Sequence, residues 1–139
     1  MGKSVQDVMT SNPASIEAES TVVEAARLMK EKDVGIIPVV EDGRLVGTLT
    51  DRDIATRVVA AGKDPQSVSV REIASTDLVT VDPQKDLDEA LRLMASHQIR
   101  RLPVVEADGR LVGIVAQADV AREANDQKTG ALVEEISQP

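Results

Sequence analysis

A chain of 139 residues with 42% hydrophobic content can bury a core of its own, and the absence of cysteine removes disulfide scaffolds, thiol nucleophiles and cysteine-based zinc sites. A formal charge of −8 sets the surface against the phosphate backbone of nucleic acid and against anionic membranes, so neither is expected as a partner. Phe, Tyr and Trp are all missing, which leaves no aromatic face for base stacking and a core built from Val, Ile, Leu, Ala and Met.

In chain order, MGKSVQDVMT carries no hydrophobic signal region, and Gln6 stands where a myristoylation signal wants Ser or Thr. No apolar run reaches membrane-spanning length, and a cytoplasmic location is the expectation. The short segment VQDVMT leads to a brief strand, ASI, and then to a helix opened by Thr21 with Glu24 as a capping box. Val22, Ala25, Ala26 and Met29 fall at i, i+3, i+4 and i+7, so this helix has one packing face. The strand GIIPVV turns through Asp42-Gly43 into LVGTLT, because Asp-Gly between two apolar runs favours a hairpin. A second helix is predicted from about Asp51 to Ala61, followed by the linker AAGKDPQSVS.

The same series then recurs. VREIAS precedes the strand LVTV; Asp86 with Glu89 opens a helix carrying Leu87, Ala90, Leu91 and Met94; RRLPVV turns through Asp108-Gly109 into LVGIVA; and a helix runs from about Gln117 to Ala124. The offset is 65 residues up to Glu41/Glu106 and 66 after Ala107, and the string DGRLVG is identical in both copies. The repeat divides the chain into 1–65, 66–125 and a tail, 126–139, in which GALVEEIS reads as a short amphipathic helix. One copy makes too small a sheet to cover both of its faces. A pseudo-two-fold pairing buries the two sheets against each other and creates two equivalent clefts.

This arrangement resembles the CBS pair, or Bateman module. The matching features are xxPVV before the Asp-Gly hairpin, LVGTLTDRDIA after it, and the entry segment DVMTSNPASI. The resemblance spans roughly residues 4–124 and implies an α/β fold made of a tandem pair of small units, each a small sheet with two helices. It also implies binding of an adenosine-containing ligand (AMP, ADP, ATP, S-adenosylmethionine or an NAD-type molecule) in the inter-repeat clefts, with no obligatory cofactor and frequent further dimerisation. The Ala-rich helical faces fit a homodimer. An unknown protein partner would receive the signal.

The residues fit that chemistry in part. Thr50 ends a strand where a helix begins, a place where free N–H groups and a partial positive charge favour phosphate. Its hydroxyl can donate to phosphate or ribose, while Asp53 can accept from a ribose diol. Thr-x-x-Asp is equally an ordinary helix N-cap that needs no ligand. The second copy keeps Asp119 but has Ala116 in place of the hydroxyl, so the Thr50/Asp53 position is expected to be the better site. The resemblance gives Arg101, with Arg100 beside it, a phosphate role, while the residues alone read equally as a solvated pair near a strand end; the first copy has Gly35 and Ile36 there. Ile37-Pro38 and Leu102-Pro103 either line an adenine slot or belong to the core, and proline also keeps neighbouring backbone out of strand pairing. His97 is the single histidine and reads as a helix-end residue. No nucleophile elbow, carboxylate couple or metal cage stands out, so no catalysis is expected. The competing reading is a ligand-free CBS pair that scaffolds another protein.

Overall fold

The structure, a computed structural model, describes residues 2–126. The expected tail helix lies outside the described residues. In chain order the elements are α1 (Val5–Val8), β1 (Thr10–Ser11), β2 (Ile16–Glu17), α2 (Val22–Lys32), β3 (Ile36–Glu41), β4 (Arg44–Thr50), α3 (Asp51–Ile54), a π-helical turn at Ala55–Val59, α4 (Val70–Ile73), α5 (Leu87–His97), β5 (Arg101–Val105), β6 (Leu111–Ala116) and α6 (117–126). Among the described residues, no helix is long and apolar enough to cross a membrane.

The chain forms two compact units. The first gathers Ala14–Leu78 with Asp108–Leu111; the second gathers the chain up to Pro13, Val79–Ala107 and the chain from Val112 onward. These spatial units do not follow the sequence repeat, because each contains the leading segment of the other copy.

In the first unit the sheet runs β2-β3-β4, with β2 parallel and β4 antiparallel to the central β3. Asp42 and Gly43 both adopt positive φ, which closes the predicted hairpin. The Thr21 hydroxyl accepts from the Glu24 N–H at 3.2 Å, so the Thr21 half of the expected capping box opens α2. The leading segment of the second copy completes the unit. Val70 and Arg71 donate to Ser20 and Ala18, and Ser75 exchanges two 2.9 Å bonds with Thr48. That close approach needs glycine at 47, where a Cβ would stand 2.9 Å from the Ser75 carbonyl oxygen. Val22, Ala25, Ile37, Val39, Leu49, Val58 and Val70 are fully buried in one cluster.

The second unit repeats this plan with the first thirteen residues in the exchanged role. Its sheet runs β1-β6-β5. β1 is antiparallel to β6 with Thr10 facing Ile114, the same register that Ser75 and Thr48 form in the first unit. Val5 and Gln6 donate to Lys85 and Pro83, and Lys3 pairs with Glu123 at 2.5 Å. Val5, Ala90, Met94, Leu102, Val104, Val115 and Val120 make a second, separate core. Each large side chain in these cores contributes roughly 1.5–3 kcal/mol through burial, with no aromatic ring involved.

Two predicted elements differ from expectation. LVTV forms no strand, only a parallel bridge from Val81 to Val104, since Pro103 has no N–H to extend the pairing toward Val79. The helix predicted from Asp51 widens after Ile54 into a π-helical turn, with Ala60 donating to Ala55 and Lys63 to Val58. There the Thr56 hydroxyl donates back to the Arg52 carbonyl at 2.8 Å, and such back-bonding bends and loosens a helix.

Candidate functional site

Both copies place their signature residues where the last strand of a hairpin runs into a helix. In the first unit, Thr50 is the N-cap of α3. Its hydroxyl accepts from the Asp53 N–H at 3.1 Å, and Asp53 Oδ2 accepts from the Thr50 N–H at 2.9 Å, a complete capping box. The Asp51 amide donates to the Gly35 carbonyl at 3.0 Å and the Arg52 amide to Asp51 Oδ1 at 2.8 Å. The expectation of free N–H groups at this helix start is therefore corrected: the amides of residues 50 to 53 all have protein acceptors. Asp53 is 17% exposed, and its other oxygen lies 3.9 Å from Arg57 Nε. The hydroxyl proton of Thr50 still has no acceptor assigned by the cap, so it remains able to donate.

The second unit treats the same junction differently. Ala116 offers no side-chain acceptor, and the Gln117 amide donates to the Arg100 carbonyl at 2.7 Å. Asp119 leaves the backbone alone, is 47% exposed, and accepts from Arg122 at 2.9 Å. Beside this uncapped start lies a cavity of about 480 Å³ lined by Leu91, Arg100, Arg101, Ala116, Gln117, Ala118 and Ala121. Arg100 precedes β5 and Arg101 begins it, and both reach the same cavity. A volume of this size falls in the ~300–1,000 Å³ range of small-molecule sites.

The remaining predicted positions divide between surface and core. Ile37 and Leu102 have no exposed surface and anchor the two cores, and Pro38 and Pro103 are buried beside them. Any part these four take in a ligand slot falls to their backbone. The Pro103 carbonyl is already engaged, accepting from Val81 at 3.1 Å. His97 ends α5, as expected. Sequence reasoning missed Leu91 and Ala121 as cavity walls, because apolar residues at helical spacing carry no mark that separates a wall from a core position.

A family model for the CBS domain matches residues 5–60 and again 70–126. The chain belongs to the CBS domain family. This CBS pair is 49% identical over 135 residues to the CBS domain-containing protein YhcV of Bacillus subtilis, covering 96% of this chain and 95% of that one. A crystal structure of Hypoxic Response Protein I with two coordinated zinc ions superposes with a TM-score of 0.79 at 40% identity, over 86% of this chain and 98% of that one. CBSX2 in complex with AMP gives a TM-score of 0.77 at 31% identity, over 91% of this chain and 99% of that one; CBSX2 is a CBS-pair protein of Arabidopsis thaliana. Cysteine is absent, His97 stands alone, and among the described residues no group of three or more His, Cys, Asp or Glu is placed to hold a metal ion.

Proposed function

We propose that this CBS pair is a regulatory module that binds an adenosine-containing nucleotide and signals its presence to a partner, without catalysing a reaction. The observation that carries this reading is the cavity at the uncapped junction of the second unit, where Arg100 and Arg101 offer guanidinium forks beside small apolar walls. The AMP complex of CBSX2 supports the ligand class. In this reading Arg101 and Arg100 hold phosphate and Asp119 accepts from the ribose diol. Pro103 and Leu102 border the slot through their backbone. Thr50 and Asp53, with Ile37 and Pro38 behind them, form the corresponding position of the first unit. A ligand there competes with a finished backbone cap, so the reading reverses the order of preference that the sequence suggests.

Isothermal titration with AMP, ADP, ATP, S-adenosylmethionine and NADH tests it. Asp119→Ala is expected to weaken binding about tenfold, the worth of one charge-assisted hydrogen bond, and Asp53→Ala to weaken it less. Equal affinity in wild type and both variants ends the assignment.

One observation favours a second reading. Thr50 and Asp53 satisfy each other without any ligand, as they would in a CBS pair that only scaffolds another protein. Thermal denaturation separates the two readings, because ligand at a hundred times its Kd adds ~2.7 kcal/mol. A melting temperature unmoved by every adenylate selects the scaffold. Light scattering on the same samples tests the expected homodimer.

A further inference from the structure

We infer that the segment from Lys3 to Asn12 regulates the second-unit cavity: it braces the strand and the helix that form the cavity wall, so that a docked segment and an occupied cavity favour each other. The inference rests on the reading above that this cavity takes an adenosine-containing nucleotide, and adds a regulatory element to it.

The wall is built where β6 ends at Ala116 and α6 begins, with Gln117, Ala118 and Ala121 lining the space. This helix start has no side-chain cap, which leaves the first turn weakly held. The leading segment grips the same two elements through other residues. Thr10 and Ser11 pair with Ile114 and Gly113 of β6, and Met9 lies so close to Gly113 that a Cβ there has no room. Val5 shares a buried cluster with Val115 of β6 and with Val120 and Ala124 of α6. Lys3 Nζ meets Glu123 Oε1 of α6 at 2.5 Å. A ligand braces α6 through Gln117, Ala118 and Ala121, while the segment braces it through Val120, Glu123 and Ala124. Each therefore lowers the ordering cost that the other meets.

The first unit makes a lock of the same kind with the opposite chemistry. Arg57, like Glu123 the fourth residue after the signature aspartate, donates through Nη1 to the Ile73 carbonyl at 2.9 Å. In both copies the last helix is thus fastened, at one register, to the leading segment of the other copy. A cation on the helix makes the fastening once, and a carboxylate makes it the second time. A charge placed for solubility alone has no reason to find the leading segment at the same register in both copies. Lys3 and Glu123 are accordingly positioning residues of the cavity, which neither of them lines.

Hydrogen–deuterium exchange on the full chain, with and without AMP, tests this in wild type, K3E and the charge-swapped K3E/E123K. Saturating AMP should slow exchange in residues 3–12 about twofold or more beyond any slowing in residues 70–75, the matching segment of the first unit. Without ligand, K3E should speed exchange in 3–12 and in 117–121 together. It should also weaken AMP binding about two- to fivefold, the scale of one exposed ion pair, because coupling between two sites acts equally in both directions. K3E/E123K should restore both. AMP that binds but protects 3–12 no more than 70–75, or an AMP affinity unmoved by K3E, would overturn the inference and leave the adenosine reading intact. Faster exchange in 3–12 alone under K3E, with 117–121 unchanged, would overturn it with or without ligand. Coupled opening of both stretches, reversed by the swap, in a chain that binds no adenylate would support the coupling and overturn the adenosine reading.

Discussion

The junctions Thr50–Asp53 and Ala116–Asp119 occupy the same place in two copies of one CBS repeat, yet they spend their polar groups differently. The first closes on itself through two reciprocal bonds. The second leaves its helix start without a side-chain cap and turns Asp119 outward to Arg122. A signature that looks functional can therefore be satisfied structurally, and a degraded copy can be the one left open. Which groups remain unpaired decides this, and residue identity alone does not.

The comparison can be broken most forcefully where the copies should agree. Ile37→Ala and Leu102→Ala remove equivalent, fully buried side chains, and each should cost ~2–5 kcal/mol in urea denaturation. A loss below about 1 kcal/mol in either would mean that the two cores are not equivalent. Next come the paired glycines. Gly47→Ala drives a Cβ against the Ser75 carbonyl at 2.9 Å and should cost ~1–3 kcal/mol. Gly113→Ala collides first with the Met9 side chain, which is flexible, and meets the Thr10 carbonyl oxygen only at 3.1 Å, so it should cost less. A larger loss at Gly113 would show that Met9 and the Thr10 backbone cannot give way.

Smaller changes sharpen the contrast at the junctions themselves. Thr50→Ala should cost ~1 kcal/mol as the N-cap is lost, and Ala116→Thr should gain a few tenths to ~1 kcal/mol as a cap is supplied. Thermal melts of both variants check the pair, and a neutral Ala116→Thr would mean that this helix start is already satisfied. The smallest effect lies in the second hairpin. The Arg110 backbone N–H, helped by the Arg110 and Arg44 guanidiniums, holds the Asp108 carboxyl below the usual carboxylate range. A depressed folded value means that the stabilisation is present above the unfolded pKa, near pH ~4, and is lost as pH falls through the folded one. Asp108→Asn should lose slightly less stability than wild type across that window, and identical acid limbs for wild type and variant would refute the assignment.

Much of this fold is legible from the residues. Thr21 and Asp86 do open helices, the Asp-Gly pairs do turn hairpins, and Val22, Ala25 and Met29 at i, i+3 and i+7 are buried as their spacing requires, whereas Ala26 at i+4 is exposed at the edge of the packing face. Tertiary choices were not legible. Nothing in VQDVMT says that Val5 docks beside Leu87 rather than Val22, since either core presents the same kind of apolar face. The π-helical turn goes with a back-bond from the Thr56 hydroxyl, and the missing strand goes with the N–H that Pro103 lacks. At the site, residue types singled out both junctions together with Arg100 and Arg101, and these two arginines line the cavity. Hydrogen-bond bookkeeping, which needs coordinates, decided which junction stayed open.

The crossing-over of the leading segments has a consequence for how such a chain can be shortened. Residues 14–78 supply all but Asp108–Leu111 of one body in a single stretch, whereas the other body joins the first thirteen residues to the second half of the chain. A fragment trimmed to residues 1–65, where the duplication itself suggests the scissors, would carry an orphaned arm and lack its closing wall. Duplication alone therefore did not produce two independent parts: the ancestral half, standing by itself, would have had to borrow that wall from a sibling molecule.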